Sequence, residues 1–157
     1  MLLMESGTII ESVRDAIAVA SGIIESAEQE VAWLVPAPLL VIAARYNLNE
    51  KSKVLMQRGG RIRGITSISP PYLNAVRELV HIGEEVRNVQ DYSGEFMLVG
   101  DRNQSISSMS VVAEDIAVDS KIVAFWTDNP DYAEYLLSIF ETIWQEATGA
   151  RKVLSEF

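Results

Sequence analysis

The sequence contains no cysteine and a single histidine, His81, among its 157 residues. Without cysteine the chain cannot form disulfides or bind metals through thiolates, and one imidazole is too few for zinc sites that use several histidines. Carboxylates could still hold magnesium or calcium, but no acidic loop has the ligand spacing of a calcium-binding hand. We therefore expect no metal and no cofactor.

Basic residues are also scarce: 13 lysines and arginines stand against 22 acidic residues, so the net charge is −9. Surfaces that follow a phosphate backbone need clustered lysine and arginine, which this balance opposes. The one compact basic stretch, between Lys51 and Arg63, is typical of a solvated helix face. We expect no direct nucleic-acid partner.

Long apolar runs are missing as well. The longest, from Val31 to Ala44, contains two prolines and is shorter than the roughly 20 residues that span a bilayer. The start of the chain becomes acidic at Glu5, too early for a secretory signal. We expect a cytoplasmic protein with no membrane partner.

Apolar residues make up 48% and charged residues 22% of the chain, which is ordinary globular usage. The length fits one domain, 1–157, in which we expect residues 149–157 to fray. Apolar periodicity and capping signals predict helices over 9–30, 37–45, 48–58, after Ser69-Pro70 and after Asn129-Pro130. Short apolar runs predict strands over 31–35, 61–66, 85–89, 95–99, 105–111 and 121–125.

The order of these elements indicates the fold class. Strands separated by helices favour parallel pairing with helices on both faces of the sheet. Residues 100–103, Gly-Asp-Arg-Asn, have turn chemistry and predict a hairpin, which adds an antiparallel portion. The sequence therefore predicts a three-layer α/β fold with a mixed, mostly parallel sheet and helices on both faces.

Residues 93–101, Ser-Gly-Glu-Phe-Met-Leu-Val-Gly-Asp, resemble the active-site hairpin of the phospholipase D superfamily. That superfamily's pattern is His-x-Lys-x4-Asp, followed six residues later by Gly-Ser-x-Asn. On this pattern Ser93 stands at the histidine, Glu95 at the lysine and Gly100 at the aspartate. Further along, Ser107 replaces the glycine and Ser108 matches the serine.

The last residue of the second motif departs too, since Ser110 stands at the asparagine. Residues 124–130 and 140–147 are similar to the end of the phospholipase D-like domains of archaeal TrmB-type regulators and related archaeal sensory proteins. The Gly-Gly at 59–60 and the strand after it also suit those proteins. The resemblance covers about residues 10–148 and implies a phospholipase D-like fold in an archaeal regulatory system.

The departures have a chemical meaning. In the enzymes the histidine attacks phosphorus, while the lysine neutralises the phosphate oxygens. A serine without a nearby base is a poor nucleophile, and Glu95 would repel the phosphate that a lysine holds. The resemblance also implies that two active-site halves come together, so a chain of this size would form a homodimer. We therefore expect a domain that is not an enzyme.

The vacated active site is the candidate ligand site. We place a small polar ligand beside Arg63, Ser93, Glu95, Ser107, Ser108 and Ser110. The alternative for the serines is that they form the solvent face of a strand.

Three functions are compatible with the sequence. The first is a regulatory domain that senses a small polar ligand or transmits a signal through dimerisation. The second is a pure protein-interaction module whose partner is a transcription regulator or a kinase. The third is a carboxylate-based or metal-dependent hydrolase, for which the acidic residues around the hairpin are Asp91, Glu95, Asp101, Glu114 and Asp115.

Overall fold

Eight strands form one sheet in the computed structural model, which describes residues 6–92, 94–110 and 112–157. They lie side by side in the order β1-β7-β6-β5-β2-β3-β4-β8. In chain order the strands are β1 (Gly7–Ser12), β2 (Glu30–Leu34), β3 (Arg61–Thr66), β4 (Glu85–Asn88), β5 (Met97–Gly100), β6 (Gln104–Ser108), β7 (Lys121–Thr127) and β8 (Thr148–Gly149).

Helices cover both faces of this sheet. They are α1 (Val13–Ser26), α2 (Ala37–Arg45), α3 (Leu48–Gln57), α4 (Leu73–Ile82), α5 (Pro130–Glu146) and α6 (Ala150–Leu154). One face packs against α1 to α4 and α6, and the other packs against α5. No helix in the described ranges is long and apolar enough to cross a bilayer.

The predicted three-layer α/β fold with a mixed sheet is confirmed. Two pairs of strands, β2 with β3 and β3 with β4, run parallel. The other five pairs run antiparallel. The sheet is thus less parallel than we predicted, because β5, β6 and β7 follow one another as antiparallel neighbours and β1 and β8 join its ends.

The beginning of the first predicted helix is a strand instead. Residues 9–12 belong to β1, where Ile9 lies opposite Phe125 and Ile10 opposite Ala124 of β7. Helix α1 starts only after Ser12, whose hydroxyl accepts a hydrogen bond from the N–H of Asp15 at 3.1 Å. The apolar spacing was misleading because Ile10 and Val13 are both buried, although Ile10 belongs to β1 and Val13 to α1. The regular apolar spacing therefore continues from a strand into a helix.

The C-terminal segment also differs from expectation. We expected residues 149–157 to fray, but β8 pairs with β4 and α6 follows it. Ala150 is 2% exposed, and Val153 and Leu154 pack against the main core. Burial of these few apolar side chains against α4 and β4 orders a segment that is too short to show periodicity in the sequence.

Candidate functional site

The predicted hairpin lies in the middle of the sheet. β5 and β6 are antiparallel neighbours, with Met97 opposite Ser107 and Val99 opposite Ser105. Asp101 and Arg102 of the connecting turn have positive φ values of 50° and 59°. This confirms the pair of adjacent strands on which the candidate site was placed.

The serines of the hairpin do not converge on one pocket. Ser107 faces α5, and its Oγ lies 3.4 Å from Oη of Tyr132. Ser108 is the next residue along the strand and therefore points to the other face, where its Oγ accepts a hydrogen bond from the N–H of Phe96 at 2.8 Å. The hydroxyl of Ser110 accepts from the N–H of Val123 at 3.4 Å. Ser108 and Ser110 thus satisfy backbone donors.

Glu95 is exposed at the start of the hairpin. Its backbone carbonyl accepts a hydrogen bond from the hydroxyl of Tyr92. Burial, helped by the charge of Glu95, raises the pKa of Tyr92 to about 12, so the phenol stays protonated and can donate. Ser93, which stands at the position of the family's histidine, lies outside the described residues.

Arg63 lies elsewhere on the sheet. Strands β5 and β2 separate β3 from β6, which at about 4.8 Å per strand puts the backbone of Arg63 about 14 Å from β6. Its guanidinium lies 5.0 Å from the ring centre of Phe140 and 5.3 Å from that of Trp144. It also forms an ion pair with Glu141, and this hydrogen bond keeps the pKa of Glu141 low. The structure therefore does not bring Arg63 to the hairpin.

Asp101, next to the family's aspartate position, binds backbone groups at the start of β2. Its carboxylate accepts hydrogen bonds from the N–H groups of Glu28, Gln29 and Glu30 at 2.7, 2.9 and 2.9 Å. Partial burial disfavours the ionised form, but these three donors outweigh it and hold the pKa of Asp101 below its ordinary value. The side chain joins the hairpin turn to the start of β2.

We expect Asp101→Asn to lower the free energy of unfolding by about 1–3 kcal/mol, because an amide offers one acceptor oxygen and leaves a backbone donor unpaired. Urea unfolding at neutral pH measures the loss. Asp119→Asn is the control, since Asp119 pairs with Arg14 in an exposed ion pair and its loss should change stability by less than about 1 kcal/mol. Equal losses in the two variants would contradict this role for Asp101.

Glu84, a carboxyl group that no sequence motif marks, is 5% exposed. Its Oε1 accepts a hydrogen bond from Nε1 of Trp33 at 2.7 Å. Burial raises the pKa of Glu84 to about 7, although hydrogen bonds from Trp33 and Ser52 act in the opposite direction. Nothing in the sequence separates Glu84 from its exposed neighbour Glu85, because burial follows from tertiary packing.

The acidic residues near the hairpin do not assemble a metal site. Among the residues that the structure describes, no group of three acidic or histidine side chains could hold an ion. Asp101 is occupied by backbone donors, as described above.

Known proteins resemble this chain in structure. Neither a protein-family model nor a curated protein matches the sequence. Solved structures do match: Nuc from Salmonella typhimurium, a phospholipase D family member, has a TM-score of 0.72 at 12% identity, over 93% of this chain and 98% of Nuc. The fold is phospholipase D-like.

A second structure with this phospholipase D-like fold is TrmBL2, an archaeal chromatin protein. It has a TM-score of 0.70 at 16% identity, and the match covers 94% of this chain. The chain spans about half the length of TrmBL2, 55%. The fold predicted from the resemblance is therefore confirmed, and one neighbour is an archaeal chromatin protein.

The expectation that the chain is not an enzyme is contradicted. Phosphatidylserine synthase from Haemophilus influenzae has the same fold, with a TM-score of 0.61 at 10% identity, over 92% of this chain and 39% of the synthase. Enzymes are thus among the structural neighbours. A few loosely matched positions on one hairpin were too narrow a basis for excluding catalysis.

The expectation of no direct nucleic-acid partner is contradicted as well. The structure of TrmBL2 shows a novel mode of DNA binding. We inferred the exclusion from the net charge, which averages over the whole surface. Contacts with phosphates depend instead on the charge of the one face that meets them.

Proposed function

We propose that this chain is a cytoplasmic regulatory domain that transmits a signal when two copies of it pair. The pairing surface is an apolar area on the sheet face that carries α5. We call this area the open-face patch, and it consists of Ile9, Met109, Val123, Phe125, Tyr132 and Tyr135.

The patch exists because α5 covers only part of the sheet face against which it packs. The core beneath α5 takes its side chains from β2, β3 and β5, whereas β1 and β7 contribute none. On β1 and β7, Ile10 and Ala124 point into the opposite core, so Ile9 and Val123 point outward. Ile9 is 51% and Val123 is 43% exposed. Both strands therefore present apolar side chains to solvent.

The patch continues onto α5 and reaches the hairpin. The ring of Phe125 lies 5.7 Å from that of Tyr132, which in turn lies 5.9 Å from Tyr135, 58% exposed. The N–H of Met109, which is 61% exposed, donates to the carbonyl of Val123. Exposed apolar areas of this kind mark interaction surfaces in soluble proteins.

A second copy is the partner that best fits this surface. The Oη of Tyr132 lies 3.4 Å from Oγ of Ser107, so the patch borders the hairpin at which the family resemblance implies that two halves meet. A twofold interface uses the same area on both copies, and an apolar area is complementary to itself. The single observation behind the proposal is this contact of the patch with the hairpin.

We expect the native protein to be a dimer and Val123→Glu to weaken dimerisation by roughly two orders of magnitude or more, because each dimer would bury two unpaired carboxylates. Sedimentation equilibrium measures the dissociation constant. Val54→Glu is a matched control, since Val54 is also 43% exposed but lies on α3, behind the other face. The control should dimerise like the native protein.

A native protein that remains monomeric at every soluble concentration would contradict the proposal, as would equal weakening by the two substitutions. The same measurement tests ligand sensing at the hairpin, where Ser107 borders the patch. Sugars, phosphorylated metabolites and nucleotides are added in turn, and a shift of the dissociation constant identifies the signal. If the protein dimerises but none of them shifts the constant, ligand sensing through dimerisation is contradicted, and pairing without a ligand remains the proposal.

A further inference from the structure

A cavity of about 90 Å³ lies on the other side of the sheet, between the strands and helices α1 to α4. Its walls are mainly apolar, and their polar members are Asn49, Ser52 and Glu84. Residues from three helices and one strand that contribute to the apolar walls are Ile17, Ile24, Leu39, Leu48 and Leu98. Small ligands bind preferentially in concave sites with apolar walls and a few polar groups in fixed places.

Glu84 places a buried carboxyl group in this apolar wall. Trp33 fixes its orientation through the 2.7 Å hydrogen bond to Oε1, and Ser52 also lines the cavity. Burial raises the pKa of Glu84 to about 7, so near neutrality the group is present in both ionised and protonated forms. A carboxyl group with a shifted pKa in a cavity is more frequent in functional sites than in ordinary cores.

The cavity is closest to solvent where α2, α3 and α4 meet. The lining residues on that side, Leu40, Ala44, Asn49 and Ala75, are only half-buried. On the sheet side of the cavity, Leu98 and most of the other lining residues are buried. A molecule entering between the three helices would therefore bring one end to the interior, where Glu84 lies.

We propose that this cavity binds a small aliphatic molecule that carries one hydrogen-bond donor, such as an alcohol or an amine, with Glu84 as the acceptor. The aliphatic walls remove the hydrocarbon part from water, and the carboxyl group selects the donor. An apolar cavity of about 150 Å³ can hold benzene, so the present cavity suits a short branched chain. This site lies on the face opposite the open-face patch and does not depend on the proposed dimer.

The test uses 2-methylbutane, isobutanol and isobutylamine, which share one branched shape and end in a methyl group, a hydroxyl group and, at pH 8, an ammonium group. Each is titrated into the native protein at pH 8, and amide and methyl NMR shifts report binding. We expect saturable binding in which isobutanol binds about tenfold more tightly than 2-methylbutane, as for one added hydrogen bond. The isobutylammonium ion should bind at least as tightly as isobutanol, because its N–H groups donate to a charged carboxylate. The shifts should lie in α1 to α4.

Two variants separate recognition from simple filling of space. In Glu84→Leu the hydrocarbon should still bind, but the tenfold preference for the donors should disappear. In Ala43→Leu an added side chain occupies part of the cavity, so the affinity for all three probes should fall at least tenfold. Circular dichroism shows whether each variant is folded.

Two results with the native protein would overturn the proposal even if a variant failed to fold. One is the absence of saturable binding by any probe, and the other is equal affinity for all three. Loss of dimerisation without loss of probe binding would count against the proposed pairing alone, so the two proposals fail in distinguishable ways.

Discussion

Glu84→Gln is expected to make the protein about 3 kcal/mol more stable at pH 8 while leaving its stability near pH 4 unchanged. The amide keeps the shape of the side chain and an oxygen that can accept from Nε1 of Trp33. It removes the charge that the buried site disfavours. The gain follows from the difference between a folded pKa of about 7 and an ordinary value of 4.5.

The sign follows from proton binding. Below about pH 4 the carboxyl group is protonated in both the folded and unfolded chain and has no effect on the pH dependence. Above 4.5 the unfolded chain loses its proton, whereas the folded protein keeps it until about pH 7. The folded state thus binds more protons in this window, so the native protein loses stability as the pH rises through it.

Urea unfolding of the native protein and Glu84→Gln at a series of pH values measures the effect. Other carboxyl groups titrate in both proteins, including Asp101, Glu85 and Glu141, whose pKa values are lowered and whose contributions fall as the pH falls. They cancel in the difference between the two curves. Parallel curves from pH 4 to pH 8 would show that Glu84 ionises as readily in the folded protein as in the unfolded chain.

Glu85→Gln is the matched control for this experiment. Glu85 is the next residue, is exposed, and accepts hydrogen bonds from Arg61 at 2.8 and 3.1 Å. The hydrogen bond from Arg61 lowers the pKa of Glu85, which is the opposite direction from Glu84. We therefore expect Glu85→Gln to give no gain at pH 8.

Gly64→Ala is expected to destabilise the protein by about 3 kcal/mol, whereas Gly22→Ala should stabilise it by about 0.5–1 kcal/mol. A Cβ atom on Gly64 would lie 1.9 Å from Cε2 of Trp33, because the indole lies directly over β3. The ring cannot withdraw without giving up its hydrogen bond to Glu84. A Cβ atom on Gly22, in α1, would meet nothing within 4 Å.

Thermal and urea unfolding of the two glycine variants measure this contrast directly. The same substitution is made in both, so the opposite signs would arise from the surroundings alone. A Gly64→Ala protein as stable as the native one would mean that the indole ring of Trp33 can adopt another position and that its hydrogen bond to Glu84 is not fixed.

Much of the local structure could be predicted from neighbouring residues. The Gly-Gly at 59–60 ends α3, where Gly59 has a φ of 91° and the N–H of Gly60 donates to the carbonyl of Leu55 at 3.0 Å. Asn129 caps α5 by accepting from the N–H of Tyr132 at 3.0 Å. These signals act within a few residues, so they are present in the sequence itself.

The candidate site was harder to predict, because it depends on which face each side chain occupies. Placing six residues around one ligand ignored the alternation that sends Ser107 and Ser108 to opposite faces of β6. It also ignored the strand order, which puts β2 and β5 between the hairpin and Arg63. A motif indicates neither the face of the sheet to which each side chain points nor the order of the strands in the sheet.

The sequence by itself determined the chain's acidic balance, the lack of thiol chemistry, the hairpin with its turn and most of the helices. Only the tertiary structure decided that Glu84 is buried beneath Trp33, which is 51 positions away in the sequence. It also decided that Ile9 of β1 and Val123 of β7 stay exposed on the face of the sheet that carries α5. The reason is physical: charge and local backbone preference belong to short segments, whereas burial and exposure are set by contacts between residues far apart in the chain.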